Sequence, residues 1–368
     1  MKLRYKILGS LGLIVAVALA SLALALAHDA ACGPTPVLPA NAQSMQAIVS
    51  RCYGPPEVLR LEAIAKPAPA ADELLVRVHA ASVNPLDFHY VRGKPYLVRL
   101  GAGMGAPDVP RVGVDFAGTV EAVGSAVTHF KPGDEVFGGR TGAFAEYVTV
   151  RESRAVVLKP ANVTFEQAAS LPIAAVTALQ ALRDQGHLQP GQKVLVNGAS
   201  GGVGTFAVQI AKAYGAEVTG VCSTKNLALV QSLGADHVVD YTQEDFTTNG
   251  QHYDVIVDTV GTHSLLDYRR VLNPRGSLVM VGSASLGDWI DFLISPLDAI
   301  ILSKFVGQKF IPFLAELNPK DLAILGELIQ SGKMTPVIDR RYSLKELPAA
   351  MRYVESGHAR GKVIITVE

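Results

Sequence analysis

The chain has 368 residues, more than one ordinary hydrophobic core accommodates and enough for two domains. Lysine plus arginine and aspartate plus glutamate each number 33, so the formal net charge is zero. This balance lacks the basic surface that nucleic-acid binding requires, and we exclude that class of function. The 34 glycines cluster in short runs between apolar stretches, which indicates tight turns in an α/β protein.

Three cations precede a long apolar stretch at the N-terminus. The stretch runs from Ile7 to Ala27, and at ~1.5 Å per helical residue it nearly spans a hydrocarbon core of ~30 Å. We predict that residues 1–30 form an uncleaved membrane anchor. A cleaved signal peptide is the alternative, since Ala25–Ala27 has the small-x-small pattern of a cleavage site. The cations are Lys2, Arg4 and Lys6.

The segment after the apolar stretch is rich in proline and alanine, so residues 31–46 are predicted to be a linker. The three cysteines of the chain lack the C-x-x-C spacing of a thiolate zinc site or a disulfide framework. Cys32 and Cys52 could pair in an exported protein, but we expect them, like Cys222, to be isolated thiols.

Short alternating strands separated by turns fill residues 47–164. Strands are expected at Glu73–Ala80 and Ala145–Val150, with a glycine-punctuated strand region at Gly113–Gly124. The turn at Lys131–Asp134 leads into another strand. Strands of this length and spacing predict a β-barrel-like domain.

The hydrophobic period changes at Phe165. Residues 165–312 alternate continuous apolar strands with helices, which predicts a doubly wound parallel sheet covered on both faces. The first helix is expected over Phe165–Asp184, and residues 313–368 are expected to return to the first domain. Strands are predicted at 193–197, 217–222, 237–240, 254–258 and 277–281, with helices at 203–214 and 226–233.

A glycine-rich loop, Gly198–Gly204, connects the first of these strands to the following helix. In a strand–loop–helix setting such glycines let a pyrophosphate approach the backbone, and the helix N-terminus supplies N–H donors and partial positive charge. The last glycine permits close helix–sheet packing. The pattern predicts a Rossmann dinucleotide site built by Ser200, Gly201, Gly202, Val203 and Gly204.

The second strand ends without the acidic residue that usually binds the ribose of NAD. Ser223 offers a hydrogen-bond donor there, Lys225 a charge, and Tyr241 a phenolic donor after the third strand. This set suits a 2′-phosphate and predicts NADPH.

The membrane topology raises a separate question about this cofactor. The cations before the apolar stretch would place the catalytic body outside the membrane, away from a cytosolic cofactor. The sequence does not decide on which side of the membrane the body lies.

Several motifs in order make residues 45–368 resemble the zinc-independent quinone oxidoreductase branch of the medium-chain dehydrogenase/reductase superfamily, which includes alkenal/one reductases. The resemblance implies a GroES-like catalytic domain beside the Rossmann domain, and suggests a homodimer. Besides the glycine loop, the motifs are Val83–Asp87, Gly113–Gly118, Lys131–Val136, Leu171–Leu179 and Gly357–Val363.

The chain departs from the zinc-dependent alcohol dehydrogenases at two informative places. Asn84 stands where those carry a zinc-binding cysteine before an aspartate, and Gly113–Asp115 reads Gly-Val-Asp in place of Gly-His-Glu. The four-cysteine structural lobe is also missing. Because Asn and Val are not zinc ligands, we predict no metal site.

Without a metal, the protein has to hold NADPH beside an electrophilic carbon and stabilise the developing oxyanion with hydrogen-bond donors. The resemblance implies hydride transfer to a quinone or an α,β-unsaturated carbonyl. Asn84 is the first candidate for lining this site, and Asp87 follows on the same loop. Tyr90 or Tyr96 is a candidate proton donor, with water as the alternative.

Further cofactor contacts are predicted from three places. Thr177 matches the family's position beside the nicotinamide. Three residues follow the fourth and fifth strands, at the carboxyl edge where cofactors bind: Gly261, Val281 and Gly282. Near the C-terminus, the candidates are Arg360 and Lys362.

Two alternative functions stay open. An enoyl reductase acting on acyl thioesters shares the superfamily, and a membrane-tethered NADPH-binding scaffold would need no turnover. The apolar stretch Trp289–Phe313 contains interspersed charges that rule against a second membrane span. It is predicted to line a hydrophobic substrate pocket, cover a dimer interface, or lie in a membrane surface.

Overall fold

The computed structural model describes residues 17–282 and 291–367. Residues 17–27 form a helix, α1, and residues 28–43 have no helix or strand. The three N-terminal cations and the first part of the apolar stretch lie outside the described residues. Within the part that is described, no helix combines the length and apolarity needed to cross a membrane.

The β-rich domain contains a mixed seven-stranded sheet and a separate antiparallel pair. The sheet order is β14-β15-β3-β4-β5-β7, with β6 also paired to β3, while β1 pairs with β2. These strands are β1 (Ser44–Val49), β2 (Arg60–Ala65), β3 (Glu73–Val83), β4 (Asp115–Val123), β5 (Glu135–Gly139), β6 (Tyr147–Arg151), β7 (Val156–Leu158), β14 (Ile338–Ser343) and β15 (Lys362–Thr366). Because β15 runs antiparallel to β3, the C-terminal segment completes the sheet of the first domain.

The second domain is built on a six-stranded parallel sheet in the order β10-β9-β8-β11-β12-β13. This is the doubly wound arrangement, and its topological switch point lies between β8 and β11. The strands are β8 (Lys193–Asn197), β9 (Glu217–Cys222), β10 (His237–Asp240), β11 (Tyr253–Asp258), β12 (Leu272–Met280) and β13 (Lys309–Pro312).

Helices cover both sheets and connect the domains. Those of the β-rich domain are α2 (Pro85–Arg92), α3 (Arg99–Ala102), α10 (Pro319–Gln330) and α11 (Leu347–Glu355). The remaining helices are α4 (Phe165–Ala169), α5 (Pro172–Gln180), α6 (Gly202–Ala213), α7 (Leu227–Ser232), α8 (Leu265–Val271) and α9 (Asp291–Leu302). The two domains share one apolar core, in which Ala80 and Phe137 of the first domain join Val196 and Phe206 of the second.

The single helix predicted over Phe165–Asp184 is wrong in one respect. The segment is divided into α4, α5 and a π-helical turn at Ala181–Gln185. Pro172 begins α5, and a proline cannot donate the backbone hydrogen bond that a continuous helix requires. The break places the start of α5 over the β-rich domain.

The expectation of three isolated thiols is also wrong. Cys32 and Cys52 form a disulfide, and only Cys222 is free among the described residues. Their Cα atoms are 4.6 Å apart, within the range that a disulfide bridges. The sequence alone could not show this, because the pairing depends on the predicted linker folding back onto the first domain.

The apolar stretch from Trp289 lies partly outside the described residues. Its later part forms α9 and then β13, the edge strand of the parallel sheet. Within α9, Ala299 is buried while Leu297 and Ile300 are exposed, and Phe305 after the helix is exposed as well.

Candidate active site

The switch point of the parallel sheet is fixed by buried polar side chains. Asn197, which ends β8, donates from Nδ2 to Asp258 Oδ1 at 2.9 Å and contacts the Tyr268 hydroxyl at 3.2 Å. Asp258, which ends β11, accepts the backbone N–H groups of Val260 and Gly261 at 3.1 and 3.0 Å. This network orders the loop at the carboxyl edge, where a ligand of such a sheet binds.

The glycine loop is tightly folded on one side and open on the other. A Cβ atom on Gly204 would lie 2.1 Å from the Gly198 carbonyl oxygen, so only glycine fits where α6 packs against the loop. Gly201 is open, since a Cβ there would meet only the Gly198 carbonyl oxygen at 3.4 Å. The first N–H groups of α6 have no partner within the helix and are available to a ligand of the loop. The loop is a cradle suited to a phosphate.

The predicted 2′-phosphate end contains an unsatisfied acceptor. Asn226 donates from Nδ2 to Ser200 Oγ at 3.0 Å and to Ser223 Oγ at 3.2 Å. Its Oδ1 atom is buried and has no hydrogen-bond partner within the described chain. A buried acceptor among predicted cofactor residues fits a ligand that brings a hydroxyl or amine donor, such as an adenosine moiety.

One acidic side chain lies closer to this edge than the sequence indicated. Asp240, which ends β10, accepts from the Thr224 hydroxyl at 2.6 Å and the Thr242 hydroxyl at 2.7 Å. These hydrogen bonds, led by that of Thr224, lower the pKa of Asp240. Lys225 and Tyr241 are exposed beside it. A carboxylate and an ammonium group therefore lie at the same edge of the parallel sheet.

A second group of polar side chains is buried where β3, β4 and β15 meet. Lys362 Nζ donates to Asn84 Oδ1 at 2.6 Å, and Asn84 Nδ2 donates to Asp115 Oδ2 at 2.8 Å. Lys362 Nζ is also 3.6 Å from Asp115 Oδ2, which accepts the Ser82 hydroxyl at 2.8 Å. The other Asp115 oxygen accepts the backbone N–H of Ile173 at 3.0 Å, near the N-terminus of α5. We call Asn84, Asp115 and Lys362 the central triad.

The orientation of the Asn84 carboxamide is fixed by its neighbours. Its oxygen faces an ammonium group, and its nitrogen faces a carboxylate and, at 3.4 Å, the Ser82 carbonyl oxygen. A flipped carboxamide would bring donor to donor at Lys362 and acceptor to acceptor at Asp115. Asn84 is only 1% exposed, and both the oxygen and the nitrogen of its amide have hydrogen-bond partners within the protein.

Burial changes the acidity of this group. It raises the pKa of the Asp115 carboxyl and lowers that of the Lys362 ammonium, while each charge opposes the shift of the other. Asp87, in the first turn of α2, accepts the Asn84 backbone N–H at 2.7 Å. Burial nonetheless raises the pKa of Asp87 to about 7, so this carboxyl holds a proton part of the time at neutral pH.

Lys362 also connects the central triad to the glycine loop. Its Cδ atom lies 3.3 Å from where a Cβ of Gly202 would be, and the Gly361 N–H donates to the Ser200 carbonyl oxygen at 2.9 Å. Gly361 has φ of +91°, a conformation that favours glycine. The lysine stem therefore runs under the predicted cofactor loop towards Asn84.

The other predicted site residues lie farther from the triad or use their polar atoms locally. The Thr177 hydroxyl donates to the Ile173 carbonyl oxygen of its own helix at 2.7 Å. Tyr90 is half-buried on α2, and burial raises its pKa. The Arg360 backbone N–H donates to Asp339, and its side chain is exposed. Gly261, Val281 and Gly282 all donate backbone N–H groups to Asp258, at the carboxyl edge.

Comparisons with known proteins fit this architecture. Residues 70–161 match the family model of the alcohol dehydrogenase GroES-like domain, and residues 233–365 match that of the zinc-binding dehydrogenases. The 2-methylene-furan-3-one reductase of Solanum lycopersicum is 36% identical over 85% of this chain and 76% of its own length. The chloroplastic NADPH-dependent alkenal/one oxidoreductase of Arabidopsis thaliana is 34% identical over 88% of this chain and 80% of its own.

Solved structures of related proteins also have this two-domain fold. The quinone oxidoreductase of Coxiella burnetii has a TM-score of 0.78 and 32% identity, covering 89% of this chain and 100% of that one. The CurK enoyl reductase has a TM-score of 0.75 and 26% identity, covering 88% and 99%. The chain belongs to the medium-chain dehydrogenase/reductase superfamily. The two predicted domain types, GroES-like and Rossmann, are confirmed.

The zinc chemistry named in one family model does not fit this member of the superfamily. The positions that the sequence relates to zinc ligands hold the carboxamide of Asn84 and the aliphatic side chain of Val114. The Lys362 ammonium donates to that carboxamide, so the donor set repels a cation where a zinc site would attract one. Across residues 17–282 and 291–367, no group of three or more His, Cys, Asp or Glu side chains is arranged to hold a metal.

Sequence reasoning missed two residues of this superfamily member's site, Asp115 and Asn226. Asp115 was noted only as a departure from a zinc motif, yet it is fully buried and accepts three of the site's hydrogen bonds. Asn226 was noted only as the start of a helix. A charged residue within the apolar strand Asp115–Val123 was the signal for the first, and no local pattern marked the second.

Proposed function

We propose that this protein is an NADPH-dependent reductase that transfers hydride to a quinone or an α,β-unsaturated carbonyl without a metal. The observation that carries the proposal is that Lys362 packs against the glycine loop and also joins Asn84 and Asp115 in a buried triad, in which the one carboxylate is already bonded to protein donors. The names of the related reductases from tomato, Arabidopsis and Coxiella support the same class of substrates. Conjugated acceptors suit such a site, because their charge delocalises into an enolate or hydroquinone.

For the cofactor, we propose that the backbone of Ser200–Gly204 holds the pyrophosphate. Ser223, Lys225 and Tyr241 would hold the 2′-phosphate, while Gly261, Val281 and Gly282 contact the cofactor through backbone. Thr177 would lie beside the nicotinamide, with Arg360 near the cofactor's rim. When bound, NADPH supplies the hydride.

For the protein's own chemistry, we propose that the central triad shapes the site and does not itself donate a proton to the substrate. Since every polar atom of the Asn84 amide is used within the protein, Asn84 shapes the floor of the site while the Lys362 charge lies beneath it. A positive charge in a buried, preorganised site favours an acceptor that becomes negative. Tyr90, half-buried on α2, is the proposed proton donor, and water is the alternative. Asp87 accepts the Asn84 N–H and so stabilises the first turn of α2, the helix on which Tyr90 lies.

An enoyl-thioester reductase is the second candidate, and the similarity to the CurK enoyl reductase favours keeping it. One assay separates the candidates: NADPH absorbance is followed with a quinone panel, short enals and acyl thioesters. The proposal predicts turnover of quinones or free enals. Turnover of thioesters alone would favour the alternative, and cofactor binding with no turnover on any panel member would indicate a scaffold.

We also propose that the N-terminal segment associates the enzyme with a membrane. The apolar run Ile7–Ala27 supports this, as do the exposed Val17, Leu19 and Leu24 of α1. Carbonate extraction of membranes from cells that express the full chain tests this association. We expect the protein to stay in the membrane pellet. A homodimer is proposed from the family resemblance, and light scattering in detergent measures it.

A further inference from the structure

Arg99 is a buried cation whose partners come mostly from the N-terminal segment. Its side chain is 1% exposed. Nη1 donates to the carbonyl oxygens of Leu26 at 2.8 Å and His28 at 3.1 Å, and Nη2 donates to the Asp29 carboxylate at 2.7 Å. Nε donates to the Gly93 carbonyl oxygen at 2.8 Å. We call residues 26–32, which supply three of these four acceptors, the strap.

Further contacts hold the strap on the catalytic domain. The rings of Tyr53 and Tyr96 flank the Arg99 guanidinium, with centroids 4.3 and 4.8 Å away. Leu26 is 1% exposed, and the Ala30 N–H donates to the Gly105 carbonyl oxygen at 2.9 Å. The strap is therefore anchored by the buried Leu26 side chain, by backbone hydrogen bonds and by the Asp29–Arg99 ion pair.

A disulfide closes the far end of the strap. Cys32 is joined to Cys52, which is buried next to the Tyr53 ring that stacks on Arg99. Forming this bond removes two electrons and two protons from the thiols, and a disulfide-bearing oxidant accepts them and becomes a dithiol. Structural disulfides of this kind persist in oxidising compartments and are rare in the cytosol.

Cleavage after Ala27 would damage this arrangement. It would remove the Leu26 carbonyl oxygen and the buried Leu26 side chain from the Arg99 pocket. It would also create a terminal ammonium on His28, whose carbonyl oxygen is 3.1 Å from the guanidinium. A buried arginine that loses an acceptor and gains a like charge nearby is strongly disfavoured.

We propose that the strap is a permanent part of the folded enzyme, so that the segment before His28 is retained and the catalytic body folds in an oxidising compartment. The strap docks on Arg99 at the start of α3 and on Gly105 beyond it, and Arg99 in turn bonds to the Gly93 carbonyl oxygen at the end of α2, the helix of Asp87 and Tyr90. The topology agrees with the three cations before the apolar run, which keep the N-terminus on the cytosolic side. The inference extends the proposed membrane tether but needs no reductase activity for its test.

The first test follows the wild-type full chain with a C-terminal tag, made in a bacterial host and purified without reductant. Intact mass is expected to include the residues before His28, and denatured protein is expected to show one reactive thiol, that of Cys222. In intact spheroplasts, mild reduction is expected to let a membrane-impermeant maleimide label Cys32, which is exposed. A chain that begins at His28, three reactive thiols without reduction, or labelling only after lysis would each overturn the proposal.

The second test measures hydrogen exchange of residues 26–32 in variants of the oxidised protein. Arg99→Met is expected to speed exchange of the strap by about tenfold or more, since it removes the strap's main polar partner. Asp29→Ala, which changes a side chain 58% exposed, is a milder variant in case Arg99→Met does not fold. Arg270→Met, at an exposed ion pair with Asp267, is the matched control and should leave the strap unchanged. If hydrogen exchange of residues 26–32 is unchanged in both Arg99→Met and Asp29→Ala, Arg99 does not hold the strap.

Discussion

Lys362 belongs to the central triad, and its stem packs against the glycine loop of the cofactor edge, yet these two regions differ in how completely their polar groups are paired. In the triad, every polar atom of the Asn84 amide has a protein partner, and Asp115 is fully buried. At the cofactor edge, Asn226 keeps a buried acceptor that finds no partner among residues 17–282 and 291–367, and Lys225 is exposed. The contrast separates a preorganised floor, built by the protein alone, from an edge that a ligand completes.

This difference implies that changes in the two regions should affect different measurements. Alterations of the triad should lower turnover, because they disturb a fixed electrostatic environment. Alterations of the edge should lower cofactor affinity, because they remove groups that act only when the cofactor is bound. The three predictions below run from the largest expected effect to the smallest.

Lys362→Met should lower kcat by about 100-fold while the Kd for NADPH changes less than about threefold. The buried ammonium that orients Asn84 is removed, but the glycine backbone that binds phosphate remains. Steady-state kinetics and calorimetry measure the two effects. The double variant Lys362→Met/Asp115→Asn removes the stranded charge and should regain stability without regaining kcat. Unchanged kcat, or a loss confined to NADPH affinity, would make Lys362 an ordinary cofactor contact.

Lys225→Ala should weaken NADPH binding by about tenfold and leave NADH binding nearly unchanged, since a charge-assisted bond to phosphate contributes on the order of 1.5–3 kcal/mol. The matched control is Lys333→Ala, which changes an exposed lysine in the segment after α10. Asp240→Asn sharpens the comparison, because removing this nearby carboxylate should strengthen NADPH binding. Equal losses for NADPH and NADH in Lys225→Ala would contradict the 2′-phosphate assignment.

Asp87→Asn should alter the pH dependence of stability. Burial raises the pKa of Asp87 from 3.8 to about 7 in the folded protein. The unfolded chain then binds fewer protons than the native state between these values, so this group lowers stability as pH rises from about 4 to 7. Asparagine can still accept the Asn84 N–H and does not ionise, so the fall in Tm across this range should shrink by a few degrees. Calorimetric scans at pH 5 and pH 8 check this, and an unchanged difference would show that Asp87 does not titrate there.

Local patterns in the sequence predicted the glycine loop and the strand–helix alternation, and the family resemblance supplied the candidate residues Asn84 and Lys362. They could not predict that these two residues touch, because the contact depends on β15 pairing with β3 in a register that sets Val363 opposite Val83. The same limit applies to Arg99 and the strap, and to the pairing of Cys32 with Cys52. Each contact joins segments distant in sequence, and the local pattern of either segment is compatible with many partners.

Transfer of deuterium tests the central claim most directly. NADPH carrying two deuterium atoms at the nicotinamide C4 is mixed with the full-length enzyme and a short α,β-unsaturated ketone, and the product is analysed by mass spectrometry. We predict one deuterium on the β-carbon of the saturated product, with far less product from Lys362→Met. Deuterated NADPH that binds at the glycine loop but leaves no label in any enone, together with no turnover of any quinone, would contradict the proposed function.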